Sequence, residues 1–223
     1  MTELTVPFWL AGGWVADRSQ LPDWLKSQHI QPRWIDEEIF LSSQAEPAAP
    51  LITPALFFQW PRALAAESQV LQQAAREIAG GERRMILLSV LHPEGCRLVV
   101  LCSPAAVGMY NLMPLAYVTD WLALPSAAQD SPVLSLLETV WARRERKVAQ
   151  VKELSLLQPG KRPVKGETAF KSAAWVSPEH SAEGGIGAAQ ALVEALIAKK
   201  QGNALLAEYD ERQQLFSCWI EAV

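Results

Sequence analysis

Residues 84–103 of this 223-residue chain have the sequence RMILLSVLHPEGCRLVVLCS. It contains two apolar runs, at residues 85–91 and 96–102, which are rich in Val, Ile and Leu and are flanked by turn residues and charges. Short runs without polar alternation are typical of strands that are covered on both faces. The HPEG link at residues 92–95 favours a tight turn, because proline fixes φ at about −65° and glycine accepts a left-handed conformation. The stretch therefore predicts a buried hairpin, closed by a type I turn with a bulge.

The segments on both sides of this hairpin have helical patterns that could cover it. Pro61 suits a first helical position, apolar residues recur at 64, 71 and 78, and Gly80-Gly81 ends the segment. Ser103 before Pro104 is typical of a capped helix start. With a strand at residues 56–60, the pattern predicts an α+β fold whose central mixed or antiparallel sheet surrounds the hairpin at about residues 84–102.

The last third of the chain has apolar residues at helical spacing. One stripe runs from Ile186 to Ile197, and a second contains Leu206, Tyr209, Phe216 and Ile220. We therefore predict a helix-rich C-terminal half, with a mainly helical portion at residues 104–223. An edge strand at residues 215–220 is the alternative.

Length and composition are those of an ordinary globular protein, with 50% hydrophobic and 20% charged residues. We expect one domain over residues 1–223. Five of the nine tryptophans fall in residues 1–60, which could form a Trp-rich N-terminal subdomain. These tryptophans either fill the core or form a binding surface, and their spacing does not decide between the two.

The cysteines predict a reduced protein without a metal site. Cys96, Cys102 and Cys218 are odd in number and show no metal-ligand spacing, which suits the cytoplasm. Residues 98–119 are uncharged, but Pro104 and Pro114 interrupt them, so we expect no membrane span. No motif calls for a cofactor.

A long helix is predicted to start at Val133, and it contains an anomaly. An apolar stripe continues on one face to Val151, and Arg144 falls near its middle. A guanidinium in a core-facing stripe is costly unless it is compensated. Compensation could come from an internal carboxylate, from water at the end of a long side chain, from an anionic ligand or from another subunit.

The charge of this region supports a binding role. Residues 143–176 contain nine Lys or Arg against three Glu, a balance of +6 in a chain of net charge −4. Such separation suggests an acidic partner surface or a phosphorylated ligand, and the stretch is too short and too poor in aromatic residues to favour nucleic acid. The candidate partner-binding residues are Arg143, Arg144, Arg146, Lys147, Lys161, Arg162 and Lys165.

Two further segments resemble reactive motifs in outline. The GGIG sequence at residues 184–187 precedes a helical stripe and could bind phosphate, but it lacks the third glycine of GxGxxG and a Walker lysine. Ser103 follows a strand, but the Gly-x-Ser-x-Gly pattern of a nucleophile elbow is missing, which favours a helix cap. Neither segment establishes a catalytic site.

Because no catalytic constellation is visible, the sequence predicts a non-enzymatic interaction protein. It would be an adaptor, assembly factor or chaperone of a larger bacterial-type complex that binds an acidic protein surface, with a protein partner and possible homo-oligomers. The alternative is a small cytosolic enzyme that acts on a phosphorylated or carboxylated substrate. An enzyme needs a pocket with convergent polar groups and a perturbed titratable residue, whereas an adaptor needs an exposed patch.

Overall fold

The computed structural model describes residues 6–42, 52, 55–59, 65–124, 133–157, 174–175, 184–199, 202–209 and 215–223. Strands in these ranges form one mixed sheet: β1 (Phe8–Val15), β2 (Glu37–Ser42), β3 (Ala55–Gln59), β4 (Met85–His92), β5 (Gly95–Cys102), β6 (Ala116–Leu124), β7 (Val151–Leu157), β8 (Ala174–Trp175), β9 (Asn203–Tyr209) and β10 (Leu215–Ala222). The α-helices are α1 (Leu21–Ser27), α2 (Ala65–Ala79), α3 (Pro104–Tyr110), α4 (Val133–Arg143) and α5 (Gly185–Lys199). The predicted α+β class and mixed sheet are confirmed.

The same five-stranded arrangement occurs twice in the sheet. The first five strands lie in the order β3-β2-β4-β5-β1, and the second five follow in the mirrored order β6-β10-β9-β7-β8. Counted along the chain, the second strand of each half (β2 or β7) runs parallel to the third (β3 or β8) and to the fourth (β4 or β9). The fifth strand (β5 or β10) runs antiparallel to the fourth and to the first (β1 or β6). The two halves meet where β1 pairs antiparallel with β6.

Strands β4 and β5 pair antiparallel without a register shift, from Met85 opposite Cys102 to His92 opposite Gly95. Pro93 and Glu94 alone connect them, so the pairing contains no bulge. Their side chains alternate between the two faces of the sheet and are buried on both, which explains the unbroken apolar runs.

Helices cover both faces of the sheet. On the inner face, α2 and α5 pack on strands of both halves and contact each other. On the outer face, α1 and α3 cover the first half, and α4 covers the second. Helix α2 ends where its pattern predicted, because the Gly80 amide bonds to the Arg76 carbonyl and Gly81 takes a left-handed φ of 78°.

The predicted helix-rich C-terminal half is wrong. Residues 203–209 and 215–222 form β9 and β10, which pair with each other across residues 210–214. Leu205 and Leu206 point to opposite faces, and both are buried because α4 lies under one face and α5 under the other. A strand covered on both faces loses its polar alternation, and its apolar residues then also fit a helical stripe.

The long helix predicted to continue to Val151 is also wrong. Helix α4 ends at Arg143, and Glu145 takes a left-handed φ of 62°. The chain then makes a 3-10 turn at Val148–Gln150 and enters β7. The apolar residues at 148 and 151 therefore belong to a turn and a strand that share a core with α4, and not to one helical face.

No helix among the described residues is both long enough and apolar enough to span a membrane.

Replacing Leu88 by alanine tests the packing of the inner face. Leu88 is fully buried under the inner helices, so we expect Leu88→Ala to lower the free energy of unfolding by about 2–5 kcal/mol through lost burial and a residual cavity. Urea denaturation measures this change. Met113→Ala is the control, because Met113 is 86% exposed and its truncation should change stability by less than about 0.5 kcal/mol. Equal stability of the two variants would contradict the buried position of β4.

Candidate functional site

The N-termini of the two inner helices meet in the middle of the molecule. Glu67 and Ser68 lie in the first turn of α2, and Gly184 and Gly185 lie at the start of α5. A Cβ on Gly184 would lie 2.7 Å from the Glu67 carboxyl carbon, and one on Gly185 would lie 1.9 Å from Ser68 Oγ. Side chains at these two positions are therefore sterically excluded, and the glycines allow the helix ends to come together.

Glu67 caps the start of α5 from the neighbouring helix. Its Oε2 accepts a hydrogen bond of 2.9 Å from the Ile186 amide, and the side chain is almost fully buried. Burial raises the pKa of this carboxyl to about 7, although hydrogen bonds from backbone amides of α5 and the charge of Arg97 act in the opposite direction. The helix start at the GGIG segment, which could have bound phosphate, is therefore occupied by a carboxyl group of the chain itself.

Ser68 and Glu208 form a buried polar pair beside this cap. The Ser68 hydroxyl donates a short hydrogen bond to Glu208 Oε2. Glu208 is fully buried near the end of β9, so a carboxylate of the second half of the sheet meets helix α2, which connects β3 and β4 of the first half. A hydroxyl that donates to a carboxylate has an adjacent proton acceptor, which is what a nucleophilic serine requires.

A small cavity reaches the Ser68 side of this pair. Its volume of about 10 Å³ is close to what one water molecule needs. Residues of α2, β6, β9 and β10 line it: Ser68, Leu71, Gln72, Ala75, Val118, Trp121, Leu206, Phe216, Ser217 and Cys218. Gln72 and Phe216 also line an adjoining groove of about 390 Å³ that opens to the surface. Ser68 thus lines a cavity that shares two of its residues with a groove at the surface.

A second buried serine donates to a glutamate on the outer face of the sheet. Ser89 Oγ donates a hydrogen bond of 2.7 Å to Glu38 Oε1, and Arg18 Nη2 donates to both oxygens of the same carboxylate, at 2.9 and 2.8 Å. Arg18 compensates the charge of Glu38, so this pair has a structural role. It provides a comparison for Ser68 and Glu208, since Ser89 lines neither the cavity nor the groove.

The predicted basic residues lie away from this cluster or outside the described residues. Arg144 is 45% exposed and pairs with Asp120 at 2.5 Å, while Arg146 pairs with Glu221 at 3.0 Å. Of the compensations considered for Arg144, the structure shows the internal carboxylate, because the turn after α4 brings the guanidinium to Asp120 of β6. Arg143 and Lys147 are exposed in the same turn.

Three of the candidates, Lys161, Arg162 and Lys165, lie outside the described residues. A partner-binding role of the basic stretch stays a prediction.

The cysteines and Ser103 have environments unlike those of activated nucleophiles. Burial raises the pKa values of the Cys96 and Cys102 thiols to about 12, and burial also raises the pKa of Cys218. Ser103 accepts a hydrogen bond of 3.2 Å from the Ala106 amide and caps α3. No group of three or more His, Cys, Asp or Glu in the described ranges could hold a metal ion.

Glu67, Ser68 and Glu208 are not among the residues that the sequence predicted to be functional. Glu67 and Ser68 stand in the polar run Glu67–Gln69, and Glu208 is followed within two residues by Asp210, so the local sequence does not mark them as buried, although all three are. Their proximity could not be foreseen, because Ser68 and Glu208 are 140 residues apart and only the mirrored sheet topology joins them.

No protein-family model matches this chain. No curated protein matches its sequence.

Several solved structures nevertheless share its fold. Human mitochondrial 3-ketoacyl-CoA thiolase superposes with a TM-score of 0.71 at 10% identity, over 99% of both chains. A tetronic acid condensing enzyme superposes at 0.65 and 11% identity, over 97% of this chain and all of the other. The 3-oxoacyl-(acyl carrier protein) synthase III of Pseudomonas aeruginosa superposes with a TM-score of 0.59 at 12% identity, over 97% of this chain and 98% of the other.

The chain therefore has the fold of these thiolase and condensing-enzyme structures. All three are enzymes by name, and the likeness extends over nearly the whole chain. This likeness contradicts the expectation of a non-enzymatic adaptor, assembly factor or chaperone. That expectation rested on the lack of a contiguous motif, and a site assembled from distant segments leaves no such motif.

Replacing Gly185 by alanine tests the contact between the helix ends. The added methyl would meet Ser68 Oγ and Glu208 Oε2, so we expect Gly185→Ala to destabilise the protein by about 1–3 kcal/mol in thermal or urea unfolding. Gly108→Ala in α3 is the matched control, because its Cβ would meet nothing within 4 Å and helix propensity alone should raise stability slightly. A Gly185→Ala variant as stable as Gly108→Ala would contradict this contact.

The pH dependence of stability tests the burial of Glu67. The folded protein raises the pKa of this carboxyl from 4.5 to about 7, so it holds the proton more tightly than the unfolded chain. Its contribution to the free energy of unfolding is therefore complete below pH 4.5 and is lost as pH rises through about 7, by at most about 1.4 kcal/mol per pH unit.

Glu67→Gln should flatten this slope, measured by urea denaturation across the same pH range. Exposed Glu82 supplies the control, because Glu82→Gln leaves the Glu67 carboxyl in place and should keep the slope. Identical slopes in wild type and Glu67→Gln would show that Glu67 is not the buried titrating group.

Proposed function

We propose that this protein transfers acyl groups, with Ser68 as the residue that accepts the acyl group and Glu208 as its base. The observation that carries the proposal is the hydrogen bond from Ser68 Oγ to Glu208 Oε2, beside a cavity that shares Gln72 and Phe216 with the surface groove. The names of the similar structures support the substrate class, since they include a 3-ketoacyl-CoA thiolase in complex with CoA and a 3-oxoacyl-(acyl carrier protein) synthase. We therefore take an acyl thioester as the donor.

The first step would form an ester on Ser68. As Oγ attacks the thioester carbonyl carbon, the hydroxyl proton moves to Glu208 and the C–S bond breaks. The departing sulfur then takes the proton from Glu208, so the free thiol leaves and the acyl group stays on Ser68. A second nucleophile would remove the acyl group and return the proton to Ser68 through Glu208.

Ser68 suits this step better than any described cysteine. The cysteine thiols are buried in apolar surroundings that raise their pKa values, which lowers the thiolate fraction at neutral pH. Ser68, in contrast, has its proton acceptor in hydrogen-bond contact and faces the cavity.

Mass spectrometry of the intact protein tests the proposal. Incubation with an acyl N-acetylcysteamine thioester should add one acyl group, and peptide mapping should place it on Ser68. Ser68→Ala should remove the adduct, and Glu208→Gln should slow its formation by about 10²–10⁴-fold, because the base is lost.

Ser89→Ala is the matched control for this experiment. It also removes a buried serine that donates to a glutamate, but that pair lies on the outer face, so acylation should continue at the wild-type rate. Acylation that persists in Ser68→Ala, or no acylation of the folded wild type by short and long acyl thioesters, would overturn the proposal.

A further inference from the structure

The cavity beside Ser68 has room for one oxygen-sized group and little more. Its volume of about 10 Å³ is close to that needed by one water molecule. Most of its wall is apolar and comes from side chains of α2, β6, β9 and β10: Leu71, Ala75, Val118, Leu206, Phe216 and Cys218. A chain of carbon atoms does not fit this cavity, whereas a carbonyl oxygen does.

Gln72 brings a hydrogen-bonding group to this cavity. Besides Ser68, the polar side chains that line it are Gln72, Trp121 and Ser217. The Ser217 hydroxyl already donates a hydrogen bond of 2.7 Å to the Leu206 carbonyl, and Trp121 is half-buried. Gln72 is only 7% exposed, and its carboxamide makes no hydrogen bond within the ranges that the structure describes. Burial of a carboxamide without a partner is unfavourable, so a ligand in the cavity would stabilise this side chain.

Gln72 is a neighbour of Ser68 on helix α2. The two residues are four positions apart, so their side chains lie on one face of the helix, with about 5–6 Å between the Cβ atoms. Side chains on a helix lean towards its N-terminus, and that of Gln72 therefore leans towards Ser68. This places a carboxamide N–H close to where an acyl group on Ser68 Oγ would hold its carbonyl oxygen.

We infer that Gln72 is a catalytic residue whose carboxamide N–H donates a hydrogen bond to the carbonyl oxygen of the acyl group, which enters the cavity. As Ser68 Oγ attacks and its proton passes to Glu208, the electron pair of the C=O bond moves onto this oxygen. A fixed donor in a cavity with apolar walls stabilises the negative charge. When the C–S bond breaks, the electron pair returns to form C=O, and the sulfur takes the proton from Glu208.

The inference rests on the proposed function and adds a part that it lacks. Ser68 supplies the nucleophile and Glu208 the base, but a carboxylate repels the charge that develops on the carbonyl oxygen. A neutral donor on the other side of Ser68 is therefore needed, and Gln72 meets this requirement.

Acylation kinetics of Gln72→Met test this role. Methionine keeps the approximate volume and helix propensity of glutamine but has no N–H. In single turnovers with an acyl N-acetylcysteamine thioester, the maximal rate of Ser68 acylation should fall about 10²–10³-fold. The thioester concentration at half-maximal rate should stay near that of wild type, because the hydrogen bond strengthens only as charge develops.

Two further variants control this experiment. Gln150→Met should keep the wild-type rate, because Gln150 is exposed in the turn before β7 and lines neither the cavity nor the groove. Gln72→Glu keeps the shape of the side chain but replaces the N–H group by an oxygen, so it should be slowed at least as much as Gln72→Met. It supplies the test if urea denaturation shows that methionine disturbs folding.

Methylboronic acid tests the same contact at equilibrium. It adds to a nucleophilic serine as a tetrahedral anion, one of whose oxygens takes the place of the carbonyl oxygen. Calorimetry should show binding to wild type that is lost in Ser68→Ala. Binding should be about 10–100-fold weaker in Gln72→Met, because a hydrogen bond to a charged oxygen is lost. Gln150→Met should bind the boronate like wild type.

These measurements separate the inference from the proposed function. If wild type and Gln72→Met are acylated on Ser68 at equal rates, or bind the boronate equally, the proposed function stands and the inference fails. If no thioester acylates wild type but the boronate binds Ser68 in a manner that depends on Gln72, acyl transfer fails and the role of Gln72 stands. If wild type neither is acylated nor binds the boronate, both fail.

Discussion

The Glu67 carboxylate at the start of α5 is the interaction on which the centre of the molecule depends. A buried carboxylate is unfavourable by itself, and here the amides and dipole of the facing helix offset part of that cost. The contact requires glycine at 184 and 185, where any side chain would collide with Glu67 or Ser68. It thereby sets the distance between α2 and α5, and with it the position of Ser68 against Glu208.

The two halves of the sheet need such a contact because their direct pairing is short. Among the described residues, β1 pairs with β6 at two positions, Phe8 opposite Tyr117 and Trp9 opposite Ala116. Additional cohesion comes from the inner face, where the Trp9 indole donates a hydrogen bond of 3.2 Å to Gln190 of α5. The candidate site lies at this junction, so its geometry depends on how the halves are held together, and a variant that weakens the junction should impair the site.

The sequence predicted those features of the structure that depend on neighbouring residues, and it failed for features that depend on residues far apart in the chain. The end of α2 at Gly80 and the cap at Ser103 could be predicted because glycine and serine act within one turn. Strand β9 could not be distinguished from a helix, because burial on both faces removes the alternation that identifies a strand. The pair formed by Ser68 and Glu208 could not be predicted, because the two residues meet only when the two halves of the sheet pack together. The sequence shows no internal repeat that would reveal these halves.

Amide hydrogen exchange at Ile186 tests most directly whether the Glu67 contact holds the centre of the protein together. We expect this amide, at the very start of a helix, to exchange only through global unfolding, and we expect Glu67→Ala to shift it to fast local exchange while amides of β4 stay protected. Exchange of the wild-type Ile186 amide at the rate of an exposed helix end would contradict it. So would protection that Glu67→Ala leaves unchanged.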